Sequence, residues 1–301
     1  MKLHHLRDLL AIAEKGSINS AAKHLGMAQP ALSRSVRELE REIGVPLLER
    51  QPTGTMLTPM GILFARRATS AVNELRRARD EVQQLQGSVQ GTVVACVSGV
   101  AHISLLSEAL APFYEAYPHV KLRIIEGVYP MVEARLKSGA VDFYIGAAPE
   151  GGPAPDLQLV KLFDNTRVVL CRVGHRLSKA RSLAELVDAK WVTTSITDHA
   201  EAEFSSVFAK FGLPAPRLSI QAESALTWIT AVASTDMLTM SPVQWLDSSL
   251  IKGAISQIKV QELIAAPAIV LIRRHAIPPT PAAEYLCDMM RRPASRYNLK
   301  K

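Results

Sequence analysis

Residues 16–61 read GSINSAAKHLGMAQPALSRSVRELEREIGVPLLERQPTGTMLTPMG, and the rest of the chain is best understood outward from them. Before this stretch, Leu3, Leu6, Leu9, Leu10 and Ala13 recur at helical spacing. Gly16 stops that helix, and Ser17 is placed to cap a second one carrying Ile18, Ala21, Ala22 and Leu25. Gly26 ends the second. A third runs from about residue 29 to 43 with Leu32, Val36, Leu39, Glu40 and Ile43 in register. Pro30 sits in its first turn, where a missing N–H costs nothing, and Gly44 closes it. Residues 47–50 and 56–58, joined by a turn at 51–54, predict a short two-stranded hairpin.

Pro59 then opens a long helix to about residue 87, with apolar positions at Ile62, Ala65, Ala68, Val72, Leu75, Ala78, Val82 and Leu85. The steps are 3, 3, 4, 3, 3, 4 and 3, a narrow stripe close to a coiled-coil seam. Arg66, Arg67, Arg76, Arg77 and Arg79 flank it. A single stripe on a long helix calls for a partner helix, so this segment is expected to dimerise.

The texture changes after residue 91. Strands are predicted at 92–97, 120–126 and 141–147, with helices at 102–116 and 130–138 between them. This β-α-β-α-β order implies a parallel sheet wrapped by helices. Further strands are expected at 166–172, 191–194, 218–221, 237–240, 255–260 and 268–272, and helices at 183–187, 200–211, 225–233 and 281–291. The whole reads as two α/β lobes, with the chain returning to the first at its end.

Of 301 residues, 48% are hydrophobic and 21% charged, an ordinary globular composition. The longest nearly unbroken apolar run, 264–272, contains Pro267 and is far short of the ~20 residues of a spanning helix. Arg7 and Asp8 stand where a secretory apolar segment would lie. Cys96, Cys171 and Cys287 are odd in number and widely spaced, fitting neither a disulfide framework nor a metal site, so a cytoplasmic setting is expected. Charge is uneven: residues 1–87 carry 13 Lys and Arg against 9 Asp and Glu, residues 88–290 carry 17 against 19, and residues 291–301 carry 5 against none. Positive charge therefore gathers at the two ends.

The stretch 16–61 strongly resembles the winged helix-turn-helix of LysR-type transcriptional regulators. The resemblance rests on Ala21-Ala22, the run Gln29–Pro30–Ala31–Leu32–Ser33, Leu39-Glu40, Ile43-Gly44, the segment 47–50 and the segment 57–61. Two positions depart from that pattern. Ala28 replaces the usual Ser or Thr cap, and Leu48 stands where Phe is common. The resemblance implies an N-terminal all-α winged helix-turn-helix (residues 1–58), a linker helix (59–87), and a two-lobed α/β effector domain of periplasmic-binding-protein type (88–301). Its first lobe would span about 88–162 and 268–301 and its second about 163–267, with crossovers near 162–166 and 266–268.

In helix-turn-helix proteins the N-terminal half of the second motif helix enters the major groove. That places Gln29, Pro30, Ser33, Arg34 and Arg37 against base edges, where Gln pairs with adenine and Arg with guanine. Arg50, Thr53 and Thr58 suit phosphate contacts. In the effector domain, ligands bind beyond the carboxyl ends of strands, near helix N-termini. This marks Ser98, Gly99, Val100, His102, Tyr129, Pro130 and Ala147 in the first lobe, and Ser195, Ile196, Thr197, Ser224 and Ser241 in the second. Many N–H and O–H donors with little fixed charge suit a small organic anion. The stretches 127–148 and 273–283 resemble the branch that senses aromatic sulfonates and aromatic acids, with Tyr129 as an aromatic wall.

The expected partners are thus double-stranded DNA, a small organic effector, and further copies of the chain as a homodimer or homotetramer, with no membrane, metal or cofactor. A redox-responsive regulator of the same family is one alternative, needing a pair of cysteines able to approach. An enzyme built on the α/β half is the other. The chain contains no G-x-S-x-G, H-E-x-x-H, Walker or G-x-G-x-x-G motif, and Asp198, His199 and Glu201 lie together without a nucleophile or metal partner. It is therefore expected not to be an enzyme.

Overall fold

In the computed structural model, which describes residues 1–52, 54–87, 90–129, 131–193 and 200–298, three glycine-stopped helices begin the chain: α1 (Leu3–Lys15), α2 (Ile18–Leu25) and α3 (Gln29–Ile43). Gly16, Gly26 and Gly44 all adopt left-handed backbone at the helix ends, a conformation side chains resist. Ser17 caps α2 by accepting from Ser20 N–H at 3.0 Å. Ala28 gives α3 no side-chain cap, as its chemistry requires. Leu6, Leu9, Ile12, Ala21, Ala22, Leu32, Val36 and Leu39 form one core, closed by Leu47 and Ala68. The absence of side chains beyond Cβ at Ala21 and Ala22 lets the helices cross closely.

The hairpin follows as β1 (Leu48–Gln51) and β2 (Gly54–Leu57), antiparallel, with Leu48 opposite Leu57. It is pinned to the helices by Thr55 N–H donating to Gly16 O at 2.9 Å. A Cβ on Gly54 would stand 2.5 Å from that same carbonyl, so only glycine permits this approach. The linker helix α4 (Pro59–Leu85) is capped by Thr58, whose hydroxyl accepts from Gly61 N–H at 3.0 Å.

The α/β part is one nine-stranded sheet, ordered β4-β3-β5-β11-β6-β9-β7-β8 with β10 beside β6. Its strands are β3 (Gln90–Val97), β4 (His119–Glu126), β5 (Phe143–Ala147), β6 (Leu157–Arg172), β7 (Lys190–Thr193), β8 (Arg217–Gln221), β9 (Met237–Pro242), β10 (Ile255–Ile258) and β11 (Ile264–Arg274). The first three pair in parallel, as the β-α-β order predicted. The long antiparallel pair β6 and β11 joins the two halves. Residues 162–166 and 266–268 do lie side by side there, and the register slips between Ala266 and Ile269, around Pro267.

Each half has a core on both sheet faces. In the first, Val93, Ala95 and Val97 face α6 (Ser107–Ala116) and α10 (Pro281–Asn298), while Val94, Cys96 and Tyr144 face Val132 and Leu136 around α7 (Glu133–Lys137). In the second, Trp191 packs with Phe204 and Phe208 of α8 (Ala200–Ala209). Trp228 of α9 (Ala225–Ser234) meets Trp245 edge to face, ring centres 4.9 Å apart.

Three readings are corrected. β6 begins at Leu157, five residues before the crossover expected at 162–166, in a stretch where no strand is predicted. The helix after β3 starts earlier than residue 102, as α5 (Gly99–Ala101) running through a π turn at His102–Leu106 into α6. The helix expected over 130–138 is only Glu133–Lys137.

Candidate nucleic-acid interface and effector cleft

Exposed positions on α3 follow from its buried ones. With Leu32, Val36 and Leu39 turned to the core, Pro30, Arg34, Arg37 and Arg41 form an outward row. Together with Gln29, Ser33 and Glu38 they line a groove of about 400 Å³. The residues expected on this surface do not all stand free on it. Arg34 and Arg37 are exposed with no ion pair among the described residues, and Arg50 is exposed on the hairpin. Ser33 is only 6% exposed, and its hydroxyl accepts from Gln29 Nε2 at 3.0 Å, so it orients Gln29 rather than standing free. Thr58 donates its one hydroxyl proton to Pro46 O at 2.8 Å. Thr53 lies outside the described residues. Arg41 was missed, though it simply continues the spacing of Pro30, Arg34 and Arg37.

Glu40 was also missed as a working residue. Its Oε1 accepts from Leu47 N–H at 2.7 Å and Leu48 N–H at 3.0 Å, so the helix that presents the arginines also fixes the root of the hairpin. Gly61 completes this joint: a Cβ there would stand 2.0 Å from Leu47 O. A buried hydrogen bond from Ser35 Oγ to Asp8 ties α3 to α1.

In the α/β part, the ends of β3, β4 and β5 bring Ser98, Gly99, Tyr129 and Ala147 to one edge of the first half. Ser98 is buried and caps α5 by accepting from Ala101 N–H at 3.4 Å. The ring Nδ1 of His102 lies 3.1 Å from Ser98 O, and Val100 is buried behind them. Gly99 faces the second half: a Cβ on it would lie 3.5 Å from the indole of Trp245 and 3.6 Å from Glu126 Oε1. Ser241, fully buried at the end of β9, and Gln244 in the following turn each hold a side-chain oxygen with no hydrogen-bond partner among the described residues. Ser224 caps α9 through Thr227 N–H at 3.2 Å. Tyr129 donates its hydroxyl to Glu133, and partial burial with that carboxylate pushes it up to about 12. Gln244 and Trp245 carried no sequence signal, because they come from the other half of the sheet; Glu126 was missed although it ends the predicted strand 120–126, beside Val97 of β3. Pro130, Ser195, Ile196 and Thr197 lie outside the described residues.

The arrangement provides N–H donors, two buried side-chain oxygens without a partner among the described residues, and an aromatic face, between two halves joined by a crossing pair of strands. The three thiols sit in separate cores, and burial pushes each of them up, Cys96 to about 11. This is opposite to the shift a reactive thiolate needs. No cluster able to hold a metal occurs among the described residues, and none of their helices is long and apolar enough to cross a membrane.

Comparison with known proteins gives consistent matches. The family model described as a bacterial regulatory helix-turn-helix protein, lysR family, matches residues 3–62, and that described as a LysR substrate binding domain matches residues 86–294. The chain is 28% identical over 289 residues to the HTH-type transcriptional regulator GalR of Pseudomonas putida, covering 95% of this chain and 72% of that protein. It is 27% identical over 288 residues to the SDS degradation transcriptional activation protein of a Pseudomonas species, covering 94% and 93%. Among solved structures, full-length CbnR, a LysR family transcriptional regulator, superposes with TM-score 0.72 at 20% identity, covering 98% of this chain and 99% of that one. Full-length OxyR from Pseudomonas aeruginosa gives 0.71 at 21%, covering 100% and 98%. At these identities the structural likeness is one of fold.

Proposed function

Because the chain belongs to the LysR family and is a DNA-binding transcriptional regulator with an effector domain, we propose that α3 reads its operator from the major groove and that a small organic acid, aromatic in character, fills the space around Gly99 and Trp245. The outward row of Pro30, Arg34, Arg37 and Arg41 beside Gln29 carries this reading, because it sets guanine- and adenine-seeking groups on one exposed helix face. Arg50 on the hairpin supplies a phosphate contact that positions without specifying. Around Gly99, the Ser98 hydroxyl and the first N–H groups of the helix suit an acid's oxygens, and Trp245 suits a ring.

Two copies of the chain pair through α4. Its exposed Leu75 (54%), Val82 (55%) and Leu85 (73%), with Ala71 and Ala78, form a seam that water solvates poorly and a second helix covers well. The regulator works in the cytoplasm, where its DNA is, and has no catalytic task of its own.

A labelled duplex carrying the chain's own upstream region tests the reading. Binding should weaken with salt at a log–log slope of about −0.9 per phosphate neutralised. Arg34→Ala should lower sequence discrimination by about 1–3 kcal/mol, and Val82→Glu should turn dimer into monomer by sedimentation. Equal affinity for every duplex, with Arg34→Ala indistinguishable from wild type, overturns the assignment of α3. Trp emission titrated with benzoate, salicylate and benzenesulfonate tests the ligand class, and a response unchanged in Gly99→Val removes the proposed location.

A further inference from the structure

The helix α4 carries a second stripe that the dimer seam does not use. Asn73, Arg77, Asp80 and Gln84 are spaced four, three and four apart, the same rhythm as Ala71, Leu75, Ala78 and Val82 but two positions later. Two positions are about 200° around a helix, so the stripes lie on opposite sides. The polar stripe docks on the chain's own effector domain through hydrogen bonds and ion pairs. Asn73 Nδ2 donates to Ser138 O at 2.9 Å. Arg77 is 6% exposed, donates to Val141 O at 3.0 Å and meets Asp142 Oδ1 at 2.7 Å. Glu74 stands between Arg77, at 3.8 Å, and Arg274, which it also pairs with. Gln84 donates to Gln90 O at 3.1 Å and accepts from Ala282 N–H at 3.0 Å.

Asp142 is the point where this contact enters the sheet. Its Oδ2 accepts from Val94 N–H at 2.7 Å, and its own N–H donates to Val94 O at 2.8 Å. Four residues beyond Val94, about 13 Å along β3, stands Ser98. Five residues beyond Asp142, at the end of β5, stands Ala147. The strands that hold Asp142 at one end therefore hold the proposed effector contacts at the other. Gly139 makes the approach feasible: its backbone is left-handed (φ 69°), and a Cβ there would lie 2.8 Å from Glu74 Oε1.

This contact is made for alignment more than for cohesion. Buried ion pairs demand strict geometry and return little net stability. Two of its buried donors, Arg77 Nε and Arg274 Nη2, have no partner among the described residues, so the network is not fully satisfied as it stands. A second arrangement of the same groups thus lies within reach.

We propose that Arg77 and Asp142 are positioning residues that set the angle of the linker helix, and with it the paired DNA-reading heads, against the effector lobe. The inference rests on the reading of the chain as an effector-controlled DNA binder and adds the link between its two sites. Arg77→Met with Asp142→Asn removes both charges together, so neither is left buried alone. Glu74→Gln with Arg274→Gln loosens the rim and leaves the central pair in place, in case the first variant does not fold. The full-length proteins are compared on a duplex carrying the chain's own upstream region, by titration and by circular-permutation mobility for the bend angle, and in cells by a reporter on that region. The expected result is operator affinity within about threefold of wild type, a changed bend, and reporter output shifted about fivefold or more, the usual lower range of an allosteric coupling. A merely structural role would weaken affinity in step with everything else. Variants that bend DNA and drive the reporter as wild type does overturn the proposal, as does a loss of affinity parallel to the loss of output. Failure of the wild-type protein to bind the duplex would instead strike the functional reading beneath it.

Discussion

Glu40 offers a sharp test of how the DNA-reading head is held together. One carboxylate oxygen accepts two backbone N–H groups, from Leu47 and Leu48. A hydrogen bond to a charged group contributes about 1.5–3 kcal/mol net. Since both share one oxygen, Glu40→Ala should cost about 2–4 kcal/mol for the opening of the hairpin root. At 1.4 kcal/mol per decade, the open state becomes roughly 30- to 1,000-fold more populated. Amide hydrogen exchange of Leu47 and Leu48 reads this directly, because exchange through local opening scales with that population. Glu40→Gln keeps a neutral acceptor and should fall between. Glu49→Ala is the control, since Glu49 is exposed and its carboxylate accepts from Gln51 Nε2 at the hairpin surface. Operator affinity in Glu40→Ala should drop without a change in sequence preference, because Arg50 positions and does not specify. Unchanged protection of Leu47 and Leu48 in Glu40→Ala would refute the reasoning.

Gly61→Ala sets a Cβ 2.0 Å from a backbone oxygen, Leu47 O, which cannot rotate aside. The hairpin must move, and thermal unfolding should show a loss of about 1–3 kcal/mol or more. Ala28→Ser restores the cap that α3 lacks; its extended backbone already suits one, so a gain of about 1 kcal/mol is expected by denaturant melting. Burial pushes Asp142 up to about 6 from the ordinary 3.8, with Asp80 and Glu74 adding to the shift against Arg76. Between those values the folded protein holds a proton that the unfolded chain has released, so this group makes stability fall as pH rises through that window. Urea midpoints across the window should show the slope in wild type and lose it in Asp142→Asn; an identical slope in both would refute it.

The first 85 residues were legible because their signals are local. A left-handed glycine ends each of the three opening helices, a serine caps the second, and the core positions recur at the helical period. Local logic also has limits, and Ser33 shows one. It lies between Gln29 and Arg37 in sequence, yet it is adjacent to Leu32 and three before Val36, which draws it under the surface. In the effector domain the order of strands and helices was readable. The first half of β6 was not, because Gln158, Lys161 and Asp164 point to solvent while Leu162 and Phe163 are buried in succession. That pattern belongs to a strand changing partners between two lobes, and neither alternation nor a continuous apolar run describes it. Gln244 and Trp245 owe their place to the same crossing.

The stripe on α4 was read as a single seam from Ile62 to Leu85, and the structure divides it. Ala65 and Ala68 are buried at the base of the helix, with Val72 packed on the DNA-reading core and Ile62 left exposed; from Ala71 onward Ala71, Leu75, Ala78, Val82 and Leu85 make a continuous outward seam. The reason is geometric. The stripe's repeated steps of three, three and four average about 3.3 residues per turn, short of the 3.6 of a straight helix, so it drifts around α4 and different stretches of one helix serve different neighbours. On α4 the consequence is a helix held by the head at its start and by the effector lobe on its polar side, with its outward seam left for the proposed second helix. A roll large enough to relieve the lobe would misalign the seam, and a roll that kept the seam would break Arg77 from Asp142. Under the proposed coupling, a change of angle would exchange hydrogen bonds on the polar side, where Arg77 Nε and Arg274 Nη2 are buried donors with no partner among the described residues.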